Sequence, residues 1–600
     1  MTRQRTPHQP PIAEYAMLGD RQTAPLLAHG SIDWLCVPQF DSAAVFSRLL
    51  GDPDDSHWSI VPTDGTEQHR GYREGSFILD TTWTTPTGAA RCTDFMPTRE
   101  GDGDDPALDN TVTIARSIEC TEGEIDIDHE LVIRFDFGST RPWIRQDRTA
   151  AGDHVLIAIA GPNSLALYGP RLQPTEGRHT GHFHISAGQR LTWVLMWRAA
   201  YRPIADAPNV DDELERSLAH WRTWHSTLSN DGLYADAVTR SLSVLRVLTL
   251  HRTGGIVAAA TTSLPESIGG ERNWDYRYTW LRDSAFTISA LSRHGHHSVA
   301  RQWRQWLLRA IAGDPEDLQI MYTIDGERQL PERIIDRLPG YRGSSPVRIG
   351  NAAVNQYQAD VIGEVLISLG DLRDDGLDED DFSWQLQVSL LQYLGRQLNV
   401  KDQGMWESRG AAHFFTHGRV MMWAAFDRGV QAVERYGLEG PVDEWRTHRE
   451  ALRKEILSKG VKNGSFVQHY ETTAVDASAL QIPQTGFVAY DSDVMLATVD
   501  RIEKELMEEG GFVRRYVADG SDGFDSQEGA FLMCTFWLVE QYARSGRPED
   551  ARVLMDKLLG VGNDLGLFSE EYDPKSGELL GNFPQAFSHL ALIRAADAIG

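Results

Sequence analysis

A chain of 600 residues is too long for one ordinary domain, and its 41% hydrophobic content can fill two or three cores. A formal net charge of −28 disfavours nucleic acid and anionic membrane as partners. Four cysteines, Cys36, Cys92, Cys120 and Cys534, stand far apart without a CxxC, which argues against a disulfide framework and a zinc knuckle.

The first twenty residues hold no apolar segment of signal-peptide type, and no apolar run approaches the ~20 residues of a membrane span. These absences predict a soluble, cytoplasmic protein. Residues 23–38 read as two short strands around His29-Gly30. Further strands are predicted over 76–85, 111–120, 125–135, 154–161, 164–170, 181–186 and 191–199, separated by turn signals at β-sandwich spacing. The acidic runs 101–105 and 374–381 read as solvated loops. Residues 210–228 are helical. The expected division is thus an N-terminal antiparallel β-sandwich over 1–205, a linker helix within 206–232, and a helical domain over 233–600.

In the helical part, twelve helices are predicted: 236–252, 283–294, 298–312, 355–370, 383–397, 418–436, 442–458, 474–482, 488–508, 526–545, 547–559 and 584–599. Twelve helices suggest six hairpins closed into an (α/α)6 barrel, since no fixed repeat period supports an open array. The long, uneven loops, 313–354 above all, are of a length that is usually functional.

Three loop stretches carry candidate chemistry. In "GERNWDYRYTWLRDSAF" (270–286), Trp274, Tyr276, Tyr278 and Trp280 alternate as on one side of an extended segment, and Asp283 stands where a helix N-cap belongs. A packed strand would give the same spacing. Aromatic walls edged by Arg and Asp match the apolar faces and hydroxyl rims of sugars. In "GMWESRG" (404–410), Glu407 follows Trp406, and a carboxyl group beside an indole is placed to have its pKa raised, as a general acid requires. His413 and His417 are four apart but make no HExxH, so packing or substrate contact is expected of them and no metal is predicted. In "SEEYDPKSGELLGNFPQAFSHLAL" (569–592), Glu570 and Glu571 precede the last helix. Weaker candidates are Arg514, Arg515, Asp525 and Glu528 in 513–531, and Arg348, Asn351 and Asn355 in 344–360. No dinucleotide-binding glycine pattern, P-loop or GxSxG elbow is present, and no cofactor is predicted.

In this order, the three stretches resemble glycoside hydrolase family 15, which contains glucoamylases and a branch of trehalases. Residues 10–42 resemble the trehalase-like N-terminal domain of its bacterial members, and 259–283 and 346–356 also match that branch. The resemblance implies a β-sandwich followed by an (α/α)6 barrel. It implies Glu407 as general acid and Glu570 as general base, with Arg282 and Asp283 gripping the terminal glucose. Tyr276 would lie near the base, Trp280 on the subsite wall and Arg515 between the first two sugar sites, with Trp406 also expected to bind substrate. Fungal glucoamylases have Glu-Gln where this chain has Glu570-Glu571, which leaves the choice of base between the two open. The implied activity is exo-acting, inverting hydrolysis of a small α-glucoside, either trehalose or a malto- or isomalto-oligosaccharide. The alternative is a disaccharide or α-glucan phosphorylase on a related barrel.

Overall fold

The computed structural model describes residues 9–98, 110–149, 152–377, 379–518, 520, 522–523 and 528–600. The acidic run 101–105 and Asp525 lie outside the described residues.

The N-terminal half is an antiparallel arrangement of fifteen strands in two layers. One strand, Val112–Val132, belongs to both. Its first half pairs with Gly88–Phe95 and Arg190–Ala199. Its second half pairs with His57–Pro62 and Arg178–Ser186. The sequence predicts two strands here, and the burial phase explains why. Ile114, Ile118 and Cys120 are buried at even positions, whereas Ile125, Ile127 and Leu131 are buried at odd ones. The exposed stretch 121–124 absorbs the phase change, with the pairing register shifting there and Gly123 at φ +65°. A Cβ on Gly123 would lie 2.1 Å from the Thr87 carbonyl oxygen, so only glycine fits this crossing. The strand pair Leu26–Ala28 and Ser31–Cys36 forms as the sequence predicts. The strands His57–Pro62, Thr66–Tyr72, Gly88–Phe95 and Trp143–Arg148 were not predicted; Thr66–Tyr72 and Trp143–Arg148 bury almost nothing and so lack an apolar alternation.

Helix α1 (Val210–Ser226) starts at Asn209, whose side chain accepts from Asp211 N. Its Leu218 packs on Val155, Ile157, Val194 and Met196 of the second layer. On its other side Trp224 stacks on His296, with ring centroids 4.6 Å apart. The linker helix is therefore glued to both halves.

Eleven further α-helices follow among the described residues. Helices α3 (Leu281–Arg293), α5 (Val361–Asp374), α7 (Thr416–Tyr436), α10 (Leu532–Arg544) and α12 (Ala586–Ile599) form an inner ring with the short 3-10 turn Ala477–Gln481, which replaces the helix predicted at 474–482. The outer ring is α2 (Ala235–Val247), α4 (His297–Ala310), α6 (Asp381–Arg396), α8 (Val442–Lys459), α9 (Asp493–Glu505) and α11 (Pro548–Leu559). The sequences differ accordingly. From Val361 to Gly370, α5 is buried all round, whereas α8 buries only Trp445, Leu452 and Ile456. No helix of the described residues is long and apolar enough to cross a membrane.

Candidate active site

Each long loop that enters an inner helix from its N-terminal end contributes to one cleft of about 790 Å3, including its open mouth. The loop before α3 supplies Trp274, Tyr276 and Trp280, and that before α5 supplies Asn351. The loop before α7 supplies Met405 to Arg409, that before α10 Arg515, Tyr516 and Asp522, and that before α12 Glu570 and Gln585. All eight residues singled out by the sequence, Tyr276, Trp280, Arg282, Asp283, Trp406, Glu407, Arg515 and Glu570, line this cleft, and no described residue of the sandwich does.

The segment 274–280 is extended, but mostly without a regular ladder. The carbonyls of Trp274, Tyr276 and Tyr278 accept from Ser263 N, Ala259 N and Ala258 N, Trp274 O also accepts from Asn582 Nδ2 at 2.9 Å, and only Thr279–Trp280 forms a strand. Trp274, Tyr276 and Trp280 face the cleft; Tyr278 is buried and does not line it. The intervening charges point the other way. Arg277 is fully buried, forked onto Asp275 at 2.7 and 2.9 Å, and donates to Ser42 O of the sandwich at 2.6 Å. It also lies over the rings of Trp34 and Phe137. Asp275 and Arg277 therefore clamp this segment to the sandwich and form no edge for a sugar. Asp283 is not an N-cap either: α3 starts at Leu281, and Asp283 sits in its first turn, where it accepts from Arg282 Nε at 3.0 Å.

Glu407 lies in a loop whose backbone is tied down at several points. Its own N–H donates to Gly404 O, and Gln356 Nε2 donates to the carbonyls of Glu407 and Ser408 at 3.1 and 3.2 Å. Glu407 itself adopts φ +57°, a left-handed conformation costly for a residue with a side chain. Trp280 Nε1 donates to Glu407 Oε1 at 2.6 Å, and Arg282 Nη2 stands 3.7 Å from the same oxygen. Arg282 is anchored in turn on Met405 O at 2.9 Å. Burial pushes the Glu407 carboxyl up; Arg282 and the Trp280 N–H pull it down without reversing the shift. The indole that touches the carboxyl is thus Trp280. The neighbouring Trp406 lines the cleft but directs its N–H to Asp476 at 3.3 Å.

In the same cleft Glu570 Oε1 accepts from the Tyr276 hydroxyl at 2.8 Å, and Tyr276 and Trp280 meet edge to face. Gly581, at φ +73°, makes room: a Cβ there would lie 2.7 Å from Glu570 Oε2. Glu571 begins a strand that pairs with Ala530–Phe531; its Oε2 accepts from Gly529 N at 2.7 Å, and its Oε1 is buried without a partner. Behind them lies a network not assembled from sequence. Arg515 forks onto Glu528 at 2.9 and 2.6 Å and reaches Glu266 at 3.3 Å. Arg272 pairs with Asp522 at 2.6 Å and Glu528 at 3.3 Å. Burial drives Glu266 up to about 7, and burial with the neighbouring acids drives Glu570 and Glu571 well above the usual range. The partners of this network lie up to about 250 residues apart: Arg272 stands in the stretch 270–286 and Arg515, Asp522 and Glu528 in 513–531, but nothing in the sequence joins them to one another or to Glu266.

The weaker candidates divide. Asn351 lines the cleft. Arg348 backs it from behind, 4.5 Å above the Trp274 ring. Asn355 and Arg514 do not line it, and Arg514 turns to Glu505 O and Glu508. His417 is buried in α7 with its pKa lowered to about 3 by burial, apart from His413.

Residues 232–597 match the family described as glycosyl hydrolases family 15, and residues 5–140 match a trehalase-like N-terminal domain. A trehalase of Thermoplasma volcanium is 36% identical over 98% of this chain and 94% of its own length. A trehalase of Mycobacterium tuberculosis is 34% identical over 98% of this chain and 89% of its own. A bacterial glucoamylase solved in complex with acarbose superposes with a TM-score of 0.73 at 13% identity, over 99% of this chain and 95% of that one, and so shares the fold of a sandwich followed by an (α/α)6 barrel. The chain is a glycoside hydrolase and belongs to glycosyl hydrolase family 15.

Proposed function

We propose that the protein is an exo-acting, anomer-inverting α-glucoside hydrolase, with trehalose as its preferred substrate. The observation that carries this reading is the pair of carboxyl groups, Glu407 and Glu570, set in one cleft in opposite surroundings. Glu407, raised by burial, is suited to hold a proton and deliver it to the glycosidic oxygen. Glu570 accepts from Tyr276 and opens onto the cleft, which suits a carboxylate that takes a proton from water attacking C1 from the other face. Glu266, Glu528 and Asp522 share the guanidiniums of Arg272 and Arg515, while burial and these neighbouring acids raise both Glu570 and Glu571 well above the usual range. Glu571 is the best holder of a proton: it is fully buried and one oxygen has no partner. A proton held there leaves Glu570 free to ionise, and this supports Glu570 over Glu571 as the base.

Arg282 and Asp283, locked together at the start of α3, present a fork for the hydroxyls of the terminal glucose, with Tyr276 and Trp280 as its wall. Trp406 and Arg515 line the cleft where a second sugar would follow. Near-full-length similarity to trehalases supports trehalose over longer glucans. The test is a panel of trehalose, maltose, isomaltose and maltoheptaose, with and without inorganic phosphate. Expected is a kcat/KM for trehalose at least about tenfold above the others, with glucose as sole product. Preference for maltoheptaose would overturn the substrate assignment, and glucose 1-phosphate would overturn hydrolysis.

A further inference from the structure

The loop that carries Glu407 is closed at its base by Asp402 and His413, which exchange two backbone hydrogen bonds of 2.9 Å. The His413 side chain leaves the cleft and stacks on His469, with ring centroids 4.0 Å apart and planes 16° from parallel. His469 is itself joined to the loop, pairing with Phe415 through the backbone. Both imidazoles turn Nδ1 toward one carboxylate. Glu471 Oε2 is hydrogen-bonded to His413 Nδ1 and lies 3.9 Å from His469 Nδ1. Lys401 Nζ holds the other oxygen of Glu471 at 2.5 Å. The three donor atoms all lie within 4.8 Å of one another.

We propose that His413, His469 and Glu471 form a binding site for a divalent transition-metal ion of the Zn2+ or Cu2+ type, which fastens the base of the Glu407 loop to the 469–471 turn. Two imidazoles and one carboxylate are the donors such ions prefer over Mg2+ or Ca2+. Ligands about 2.1 Å from a tetrahedral ion stand roughly 3.4 Å apart, and each imidazole holds the ion in its own ring plane, so binding turns one of the two stacked rings out of the stack to aim both Nδ1 atoms at the ion. The His469 lone pair is already on Nδ1, where it accepts a long 3.3 Å bond from Glu471 N that an ion would replace. The Lys401 contact orients the carboxylate from behind, as outer partners of metal ligands do. The site is partly open, with side-chain exposures of 28%, 15% and 45%, which gives an ion a path and leaves a position for water.

Among the described residues, no other histidine–acid group brings three donor atoms this close. His29 places Glu14 and Glu67 on opposite ring nitrogens. His182 and His184 are each bracketed by carboxylates on both nitrogens.

The test uses the full chain after chelator treatment and dialysis, titrated with Zn2+ in a calorimeter and with Cu2+ under electron paramagnetic resonance. Expected are one saturable Zn2+ per chain, two nitrogen ligands on Cu2+, and a Zn2+-dependent rise in Tm. His469→Ala and His413→Ala should each weaken Zn2+ binding at least tenfold and abolish the rise in Tm. A His182→Ala/His184→Ala double variant should change neither. Circular dichroism without metal checks folding, and Glu471→Gln, which keeps the shape, replaces any variant that does not fold. Absence of saturable binding would overturn the proposal. So would affinity unaffected by His413→Ala, His469→Ala and Glu471→Gln, or binding lost only with His182 and His184.

Discussion

Glu407 and Glu570 face one cleft, but their surroundings differ in kind. Around Glu407 the polar partners are few: the Trp280 N–H at 2.6 Å and the Arg282 guanidinium at 3.7 Å. Around Glu570 stand Tyr276 and a dense set of acids bridged by Arg272 and Arg515. Burial raises both carboxyls, and Glu570, with other acids beside it, is raised well above the usual range. A carboxyl in a crowd can lose its proton because a neighbour retains one. The two carboxyls proposed as acid and base thus differ in the number and sign of the groups around them.

The most severe way to break this comparison is to remove either group. Glu407→Gln and Glu570→Gln should each lower kcat by about 10^3 or more, within the range for positioned acid–base groups, while circular dichroism and Tm stay near wild type. Turnover near wild type in either variant would remove that role. Next in size is a test of the other face of the 274–280 segment. Arg277→Ala leaves Asp275 buried without its partner and should cost about 3–5 kcal/mol in denaturant unfolding. Because Arg277 faces the sandwich, the folded fraction should keep its kcat.

Smaller effects separate the two sides by pH. Tyr276→Phe removes a donor to the ionised form of Glu570, so the pKa of the proposed base rises. The acid limb of the kcat/KM profile should then move to higher pH, with activity lost first at low pH. Trp280→Phe removes a donor to Glu407, whose pKa also rises. Here the group must stay protonated, so it is the alkaline limb that should move to higher pH. Movement of the same limb in both variants would contradict the opposite roles.

Much of the frame was legible from sequence because it rests on local patterns. Helix α7 is Thr416–Tyr436 against a predicted 418–436, since its apolar stripe runs unbroken. The strand Val112–Val132 was split because its burial phase changes at 121–124, a signal that resembles a turn. The inner turn Ala477–Gln481 is too short to differ from a helix by periodicity. The three motif stretches can be named as candidates, but not the direction of each side chain: Asp275 and Arg277 stand between cleft-facing aromatics in the sequence, yet they turn away and clamp the segment to the sandwich. The pairing of Glu266, Arg272 and Asp522 is not legible even in the stretches that hold them, because these residues meet only when the barrel closes.

Inversion at the anomeric carbon can be measured directly with trehalose. Attack of water on one anomeric carbon from the face opposite the leaving oxygen yields one β-glucose, while the released partner keeps its α configuration. Proton NMR over the first turnovers, before mutarotation, should show β- and α-glucose in equal amounts, and in 18O-water the label should enter only the β anomer. Initial release of α-glucose alone, or label in the α anomer, would contradict the account.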